Sequence, residues 1–424
     1  MTVLIAGAGI GGLTLALSCH QVGIDFRIFE QSEKIEPLGV GINLQPHAVR
    51  ELFELGLQDE LDAFGVRTTN VAYYSKKGGK IWSEPRGKSA GYQWPQYSVH
   101  RGKLQTMLHN ALIKRTHQNI VETGCALVGF EQDENLVTVR LKSRSGDVIE
   151  DARGDVLIGC DGIHSAVRHQ LYPNEGPPVW GGAILWRGTT TAIPFLDGTT
   201  MAMAGHEFQK FVTYPISTVD PQTGKALINW IAELKFDADK VWNKEDWNRV
   251  GVLDDFLPAF ENWRFDWLDV PELIRAHNAV YEFPMVDRDP LDQWTFGRVT
   301  LLGDGAHAMY PIGSNGATQG IVDARILVRE FLTKGLSNDA LAAYEDERRP
   351  ITSKIVLANR GNGPDQIMET VEQKCGGDFE DIHQVISQQA LEEQASKYKH
   401  LTGFDVETLN AQSSIITNEQ IVFK

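Results

Sequence analysis

The 424-residue chain predicts an α/β fold: a Rossmann-like dinucleotide-binding domain interleaved with a β-rich domain and followed by a helical C-terminal segment. Three observations carry this. A strand–glycine turn–helix–strand unit opens the chain, "VLIAGAGIGGLTLALSCHQVGIDFRIFE". Two more strand–small turn–helix units, "DVLIGCDGIHSAVRHQL" and "RVTLLGDGAHAMYPIGSNGATQGIVDARIL", lie far downstream. Between them, from about Val179 to Leu234, the pattern changes to long, alternating, aromatic-rich strands such as "AILWRGTT", "KFVTYPI" and "ALINWIAEL".

The first unit starts with a β-like run, Val3 to Ile5, and turns through Gly7, Gly9, Gly11 and Gly12 into an apolar helix. A second strand, Phe26 to Phe29, ends at Glu30, which with Gln31 is a candidate cofactor-binding residue. Three of these glycines have a physical task. Gly7 permits the tight turn, Gly9 lets a pyrophosphate approach the backbone, and Gly12 lets helix and strand pack closely. The helix N-terminus attracts phosphate charge, and Glu30 suits a ribose hydroxyl pair. This fingerprint alone leaves NAD and FAD both open.

"PHAVRELFELGLQDEL" reads as a helix with Pro46 in its first turn, and "SVHRGKLQTMLHNALIKR" as a helix entered at Arg101. Residues 120–142 alternate like a hairpin. Helices are expected near 244–256, after Gly316, and over 336–360 and 380–399, with an irregular end to the chain.

The formal net charge of −16 argues against nucleic acid or an anionic membrane as partner. No stretch is long and apolar enough to span a membrane. Cys19, Cys125, Cys160 and Cys375 are scattered without CxxC spacing, so no metal site is expected and a reduced, cytoplasmic setting is. The first residues lack the basic region of a secretion signal.

With Arg101, "DGIHSAVR" and "GDGAHAMYP" beside the GAGIGG turn, the chain resembles the single-component FAD-dependent aromatic monooxygenases of the para-hydroxybenzoate hydroxylase superfamily. The resemblance runs over roughly residues 1–370. Within it, "PLGVGINLQPHAV", "WSEPRG", "PQYSVHRG", "FPMVDRDPL" and "MYPIGSNGA" resemble the phenazine-modifying hydroxylase branch. The implied fold is of the para-hydroxybenzoate hydroxylase type. FAD-binding segments at 1–74, 97–175 and 288–370 alternate with a substrate domain at 75–96 and 176–287, and 371–424 forms a C-terminal helical arm and tail.

The resemblance implies noncovalent FAD, with NAD(P)H as a transient cosubstrate. Asp304 would hold a ribityl hydroxyl, Arg101 the pyrophosphate, and the backbone at Leu127 the adenosine end. Val40 and Gly41 would line the flavin. Pro311, Gly313, Asn315, Gly316 and Ala317 would run along its ring, with the following helix dipole favouring the charge of the reduced form. Asp161 would lie where both cofactors pass, although a turn Asp ahead of the helix from Ser165 fits the same pattern. Arg168 equally fits a solvated helix position, and His307 a packed residue behind the site. Many relatives carry an Arg shortly before the "GxGI" loop, where this chain has Glu36, so nicotinamide-binding residues are not transferred.

The implied activity is NAD(P)H- and O2-dependent hydroxylation of a small planar aromatic, phenazine-like or an aromatic carboxylate, through a flavin C4a-hydroperoxide, by a monomer or homodimer. The alternatives are an FAD-dependent oxidase or dehydrogenase on the same fold, and a flavin-binding module without activity. Trp186, Tyr214 and Trp230 are the expected substrate-pocket residues, because aromatic faces suit a planar ring, although such residues at strand spacing also build cores. Alternation puts Trp186 and Arg187 on opposite faces, so at most one of them lines the pocket. Trp186 is the expected one, and Arg187 would anchor a carboxylate only if it points inward.

Overall fold

A computed structural model describes all residues except 38, 144, 238–248, 362, 403, 404 and 424. The first strand, Thr2–Ala6, lies at the centre of a five-stranded parallel sheet in the order Val299–Leu301, Val156–Gly159, Thr2–Ala6, Asp25–Glu30, Val121–Thr123. Val3, Leu4, Ile5, Val156, Leu157 and Ile158 are fully buried. Such continuous apolar runs are what a parallel sheet covered on both faces requires. The covering helices include Ile10–Gln21, which packs between Arg101–Thr116 and Gly316–Lys334. Three segments distant in sequence thus deliver their C-terminal strand ends to one edge, where such sheets bind ligands.

The β-rich part is a seven-stranded sheet in the order His277–Asp287, Val179–Ala192, Ala226–Lys235, Gln209–Pro215, Thr200–His206, Asn70–Tyr74, Lys80–Pro85. All neighbours are antiparallel except Thr200–His206 with Asn70–Tyr74. A domain boundary at 74/75 therefore divides two paired strands of this sheet, and Asn70–Tyr74 belongs with the β-rich part. The hairpin expected over 120–142 is the pair Ala126–Gln132 and Val137–Lys142, extended by Val148–Gly154.

The two faces of the large sheet differ. One packs Trp186, Phe211, Trp230 and Ala232 against Phe256, Phe260 and Ile274 in an aromatic core. The other presents Leu185, Arg187, Met203, Val212, Tyr214 and Ile231 toward the parallel-sheet region. Part of the helix expected at 244–256 lies outside the described residues. Beyond it the chain makes an isolated bridge at Val250 and a short 3-10 turn at Leu253–Asp255 instead. The helix expected over 380–399 is Gln388–Thr402, and the end of the chain is less irregular than expected, with a short helix at Val406–Ala411.

Candidate active site

A cleft of about 330 Å³ runs from the first glycine turn, past Gly41 and Arg101, to the inner face of the large sheet. At its entrance the glycines perform separate tasks. Gly7 has φ +96°, and a Cβ there would meet the Cys160 carbonyl at 2.6 Å. A Cβ on Gly12 would sit 2.0 Å from the Gly7 carbonyl oxygen, and one on Gly11 2.9 Å from the Leu302 side chain. At Gly9 no atom lies within 4 Å. The turn is thus packed tight on its protein side and open where Gly9 precedes the helix Ile10–Gln21. That open cradle at a helix N-terminus fits a diphosphate.

Glu30 reaches back to this turn. Its Oε2 accepts from the Ala8 amide at 2.9 Å and its Oε1 from the Ser32 amide at 2.8 Å. The neighbouring Gln31 is exposed. Arg101 begins its helix with the amide bonded to the Val40 carbonyl at 2.9 Å, and its exposed side chain lines the cleft. Leu127 and Val40 are both buried, and neither is among the residues that line the cleft.

The far wall is the segment from Met309 to Ala317. Asp304 is exposed into the cleft. Gly313 takes φ +71° in the turn ahead of the helix Gly316–Lys334, a backbone that favours glycine. Gln45 braces the turn, with its Nε2 donating to the Gly313 carbonyl at 3.2 Å and its amide donating to Thr318 Oγ1 at 3.2 Å. The first amides of the 19-residue helix have no partners within it, and its positive end faces the cleft.

Three residues serve the frame rather than the cleft. Asp161 Oδ2 accepts from the Ala166 and Val167 amides at 2.7 and 3.2 Å, which anchors the short helix Ala166–Leu171. Burial pushes its carboxyl up. Arg168 is buried, not solvated: it pairs with Glu175 and donates Nη1 to the Ala306 carbonyl at 3.0 Å. His307 Nε2 meets Asp323 Oδ2 at 2.6 Å, and Arg348 Nε donates to Asp323 Oδ1 at 2.7 Å.

At the sheet end the expectation for Trp186 is corrected. Trp186 lies in the aromatic core, stacked on Phe256 with ring centroids 4.9 Å apart. Its Nε1 donates to Glu282 Oε2 at 3.2 Å. Trp230 is in the same core, its ring over Gly188, where a Cβ would fall 2.2 Å from it. Alternation does separate Trp186 from Arg187, and Arg187 is the inward one. Its Nη2 donates to the Gly41 carbonyl at 2.8 Å, and its guanidinium lies 5.7 Å from the centre of the Phe283 ring. Tyr214 also lines the cleft and hydrogen-bonds Arg187; burial pushes its phenol up to about 12 against the pull of that guanidinium. Sequence reading missed Lys210, Glu233 and Asp365, which close this end. For Lys210 and Glu233 the signal was a charged residue inside an apolar strand, as in "QKFVTYP" and "ALINWIAEL", whereas Asp365, in a turn, had none.

The FAD-binding-domain family model matches residues 1–359. The chain belongs to this family. It is 43% identical over 361 residues to the phenazine 1,6-dicarboxylic acid hydroxylase of Lysobacter antibioticus, covering 84% of this chain and 89% of that one. It is 28% identical over 374 residues to the 6-hydroxynicotinate 3-monooxygenase of Bordetella bronchiseptica, covering 85% and 91%. Among solved structures, Klebsiella pneumoniae HpxO complexed with FAD and uric acid matches with a TM-score of 0.72 at 22% identity, over 96% of each chain. The salicylate hydroxylase substrate complex matches with a TM-score of 0.72 at 21% identity, over 97% of each. These two likenesses establish the para-hydroxybenzoate hydroxylase type of fold. The chain is a flavoprotein that takes FAD.

Among the described residues no helix is long and apolar enough to cross a membrane, and no group of side chains is arranged to hold a metal ion.

Proposed function

We propose that this FAD-dependent aromatic monooxygenase hydroxylates a planar aromatic carboxylate, phenazine-like in size, with NAD(P)H as electron donor. Bound FAD supplies the redox and oxygen chemistry. The chain binds, orients and dries the site. Gly9, Arg101 and the two helix ends hold the charged and polyhydroxyl parts of the cofactor, with Glu30 and Asp304 at its two sugar-like ends. The positive end of Gly316–Lys334 stabilises negative charge that develops beside it.

Met203, Val212, Ile231 and Leu185 form an apolar face for the ring, and Arg187 is the cation for its carboxylate. One observation carries the substrate reading: an Arg187 guanidinium turned into an apolar cleft, with Nε buried and without a hydrogen-bond partner. A carboxylate there would complete its bonding. The free cysteines are in keeping with a cytoplasmic enzyme.

The test is NAD(P)H consumption by the yellow holoprotein with and without a panel of aromatic carboxylates, with peroxide and product mass followed together. A product one oxygen heavier, formed only with a carboxylate-bearing ring, is the expected result. Consumption that turns entirely into peroxide with every ring acid overturns the substrate assignment.

A further inference from the structure

The sheet end of the cleft holds three charged side chains that the proposed function leaves unused. Lys210, Glu233 and Asp365 are 4%, 7% and 8% exposed, so all three are more than nine-tenths buried. Lys210 and Glu233 face each other across adjacent strands. Asp365 comes from the turn before the helix Gln366–Cys375. Lys210 Nζ lies 2.8 Å from Asp365 Oδ2 and 3.3 Å from Glu233 Oε1. One ammonium therefore serves two carboxylates. Burial acts to lower the Lys210 ammonium, but Asp365 and Glu233 outweigh it and hold it above its ordinary value.

The second carboxylate oxygen of Asp365 decides the matter. Oδ1 is shielded from solvent and has no hydrogen-bond partner. Leaving a buried charged acceptor unsatisfied is costly, and this one belongs to a residue that lines the cleft. The opposite pole is Arg187. The register Arg187↔Ile231↔Val212 places Lys210 two strands across and two residues along from Arg187, roughly 12 Å between Cα atoms by strand geometry. The cleft thus has a cation at one pole and, beside Lys210 at the other, an acid with an unsatisfied acceptor, a separation on the scale of a fused ring system.

We propose that Asp365 is a specificity-determining residue: it accepts an N–H or O–H from the edge of the ring opposite the carboxylate, and it rejects rings that carry a second carboxylate there. This rests on the aromatic-carboxylate reading above and sharpens it. A donor at that edge completes the bonding of Asp365. A second carboxylate meets it with like charge, and Lys210 is already engaged twice. The preferred substrate is then a monocarboxylate with a ring amine, hydroxyl or N–H, in contrast to the dicarboxylic acid named for the Lysobacter relative.

The experiment uses FAD-loaded protein and three probes: phenazine-1-carboxylate, its 6-amino derivative and phenazine-1,6-dicarboxylate. Dissociation constants are read from the perturbation of the flavin spectrum, and NAD(P)H consumption is followed in parallel. The amino acid should bind about tenfold or more tighter than the dicarboxylate, the worth of one hydrogen bond to a charged group. Asp365→Asn should shrink that ratio to about threefold or less, chiefly by weakening the amino probe and strengthening the dicarboxylate. Equal binding of the two by the wild-type protein overturns the proposal even if the variant does not fold, and so does an unchanged ratio in Asp365→Asn. If monocarboxylates bind and are hydroxylated but the ratio is flat, only the Asp365 assignment fails. If none of the probes perturbs the flavin or stimulates NAD(P)H consumption, the aromatic-carboxylate reading fails and takes this one with it.

Discussion

Arg187 donates its Nη2 to the carbonyl of Gly41 at 2.8 Å, and this bond ties the large sheet to the loop that borders the cofactor space. The same glycine is held from its other side, where its amide donates to Asn229 Oδ1 at 2.7 Å. Substrate-facing sheet and cofactor-facing loop are thus coupled at one residue. Arg187→Ala should raise KM for a carboxylate-bearing substrate about tenfold to a hundredfold, the loss of a charged hydrogen bond. FAD should stay bound, because Asn229 still holds Gly41. Arg187→Lys should recover little, since the ammonium lacks the planar fork that meets a carboxylate at two points. Steady-state kinetics on flavin-replete variants check this, and an unchanged KM in Arg187→Ala removes Arg187 from the substrate site.

Trp186→Ala should behave in the opposite way. The ring is 1% exposed and stacks on Phe256 within the aromatic core. Its loss should destabilise the fold by about 3–5 kcal/mol, visible as a lower unfolding midpoint. KM in whatever protein remains folded should be nearly unchanged. A large KM effect at wild-type stability would return Trp186 to the pocket.

These two variants mark what could be read in the sequence. The glycine turn was legible because backbone sterics leave few residues free at Gly7 and Gly12. The strand alternation around Trp186 and Arg187 was legible too, but not which face meets the cleft. Both faces of this sheet are covered, one by the aromatic layer around Phe256 and Phe260, the other by the cofactor-binding region. An aromatic side chain satisfies either face, so its chemistry carried no choice between them. Lys210, Glu233 and Asp365 were out of reach for a different reason. Their meeting depends on the cross-strand pair Lys210↔Glu233 and on the return of the chain more than a hundred residues later, neither of which has a local pattern.

The frame behind the far wall should have its own pH signature. Asp323 is fully buried between His307 and Arg348, and its Oδ2 also accepts from the Gly303 amide at 3.2 Å. Burial acts to raise its carboxyl, but His307 and Arg348 outweigh this and hold it below the ordinary carboxylate range. A carboxyl depressed in the folded state contributes stability that is present above its unfolded value and lost as pH falls through the folded one. The contribution should therefore begin to fall away below about pH 3.9 and be gone once the pH lies below the folded value. Asp323→Asn should cost about 3–5 kcal/mol near neutral pH, because it strands a buried cation. The gap from wild type should narrow on acidification below about pH 3.9. Denaturant unfolding across pH measures it, and a gap that stays constant would mean that the Asp323 charge is not what stabilises this region.

The glycine turn offers a test that separates folding from cofactor binding. A methyl on Gly12 would lie 2.0 Å from the Gly7 carbonyl oxygen, inside the tightest packing of the turn. Gly12→Ala should therefore disturb the apoprotein itself, lowering its unfolding midpoint whether or not FAD is present. Gly9 is different. Its backbone is extended, at φ −71° and ψ −175°, a conformation alanine adopts without strain, and no atom lies within 4 Å of the added methyl. Replacing glycine by alanine at this helix-capping position should cost the apoprotein about 1 kcal/mol or less. Only a ligand lying against that backbone would meet the methyl. Gly9→Ala should thus leave apoprotein stability nearly intact while weakening FAD binding about tenfold or more, as displacement of a diphosphate from its amide donors would. Apoprotein melting and FAD titration, run side by side on the two variants, give four numbers. The pattern expected is one variant defective in both and the other in binding alone. Full FAD affinity in Gly9→Ala would place the diphosphate elsewhere in the cleft.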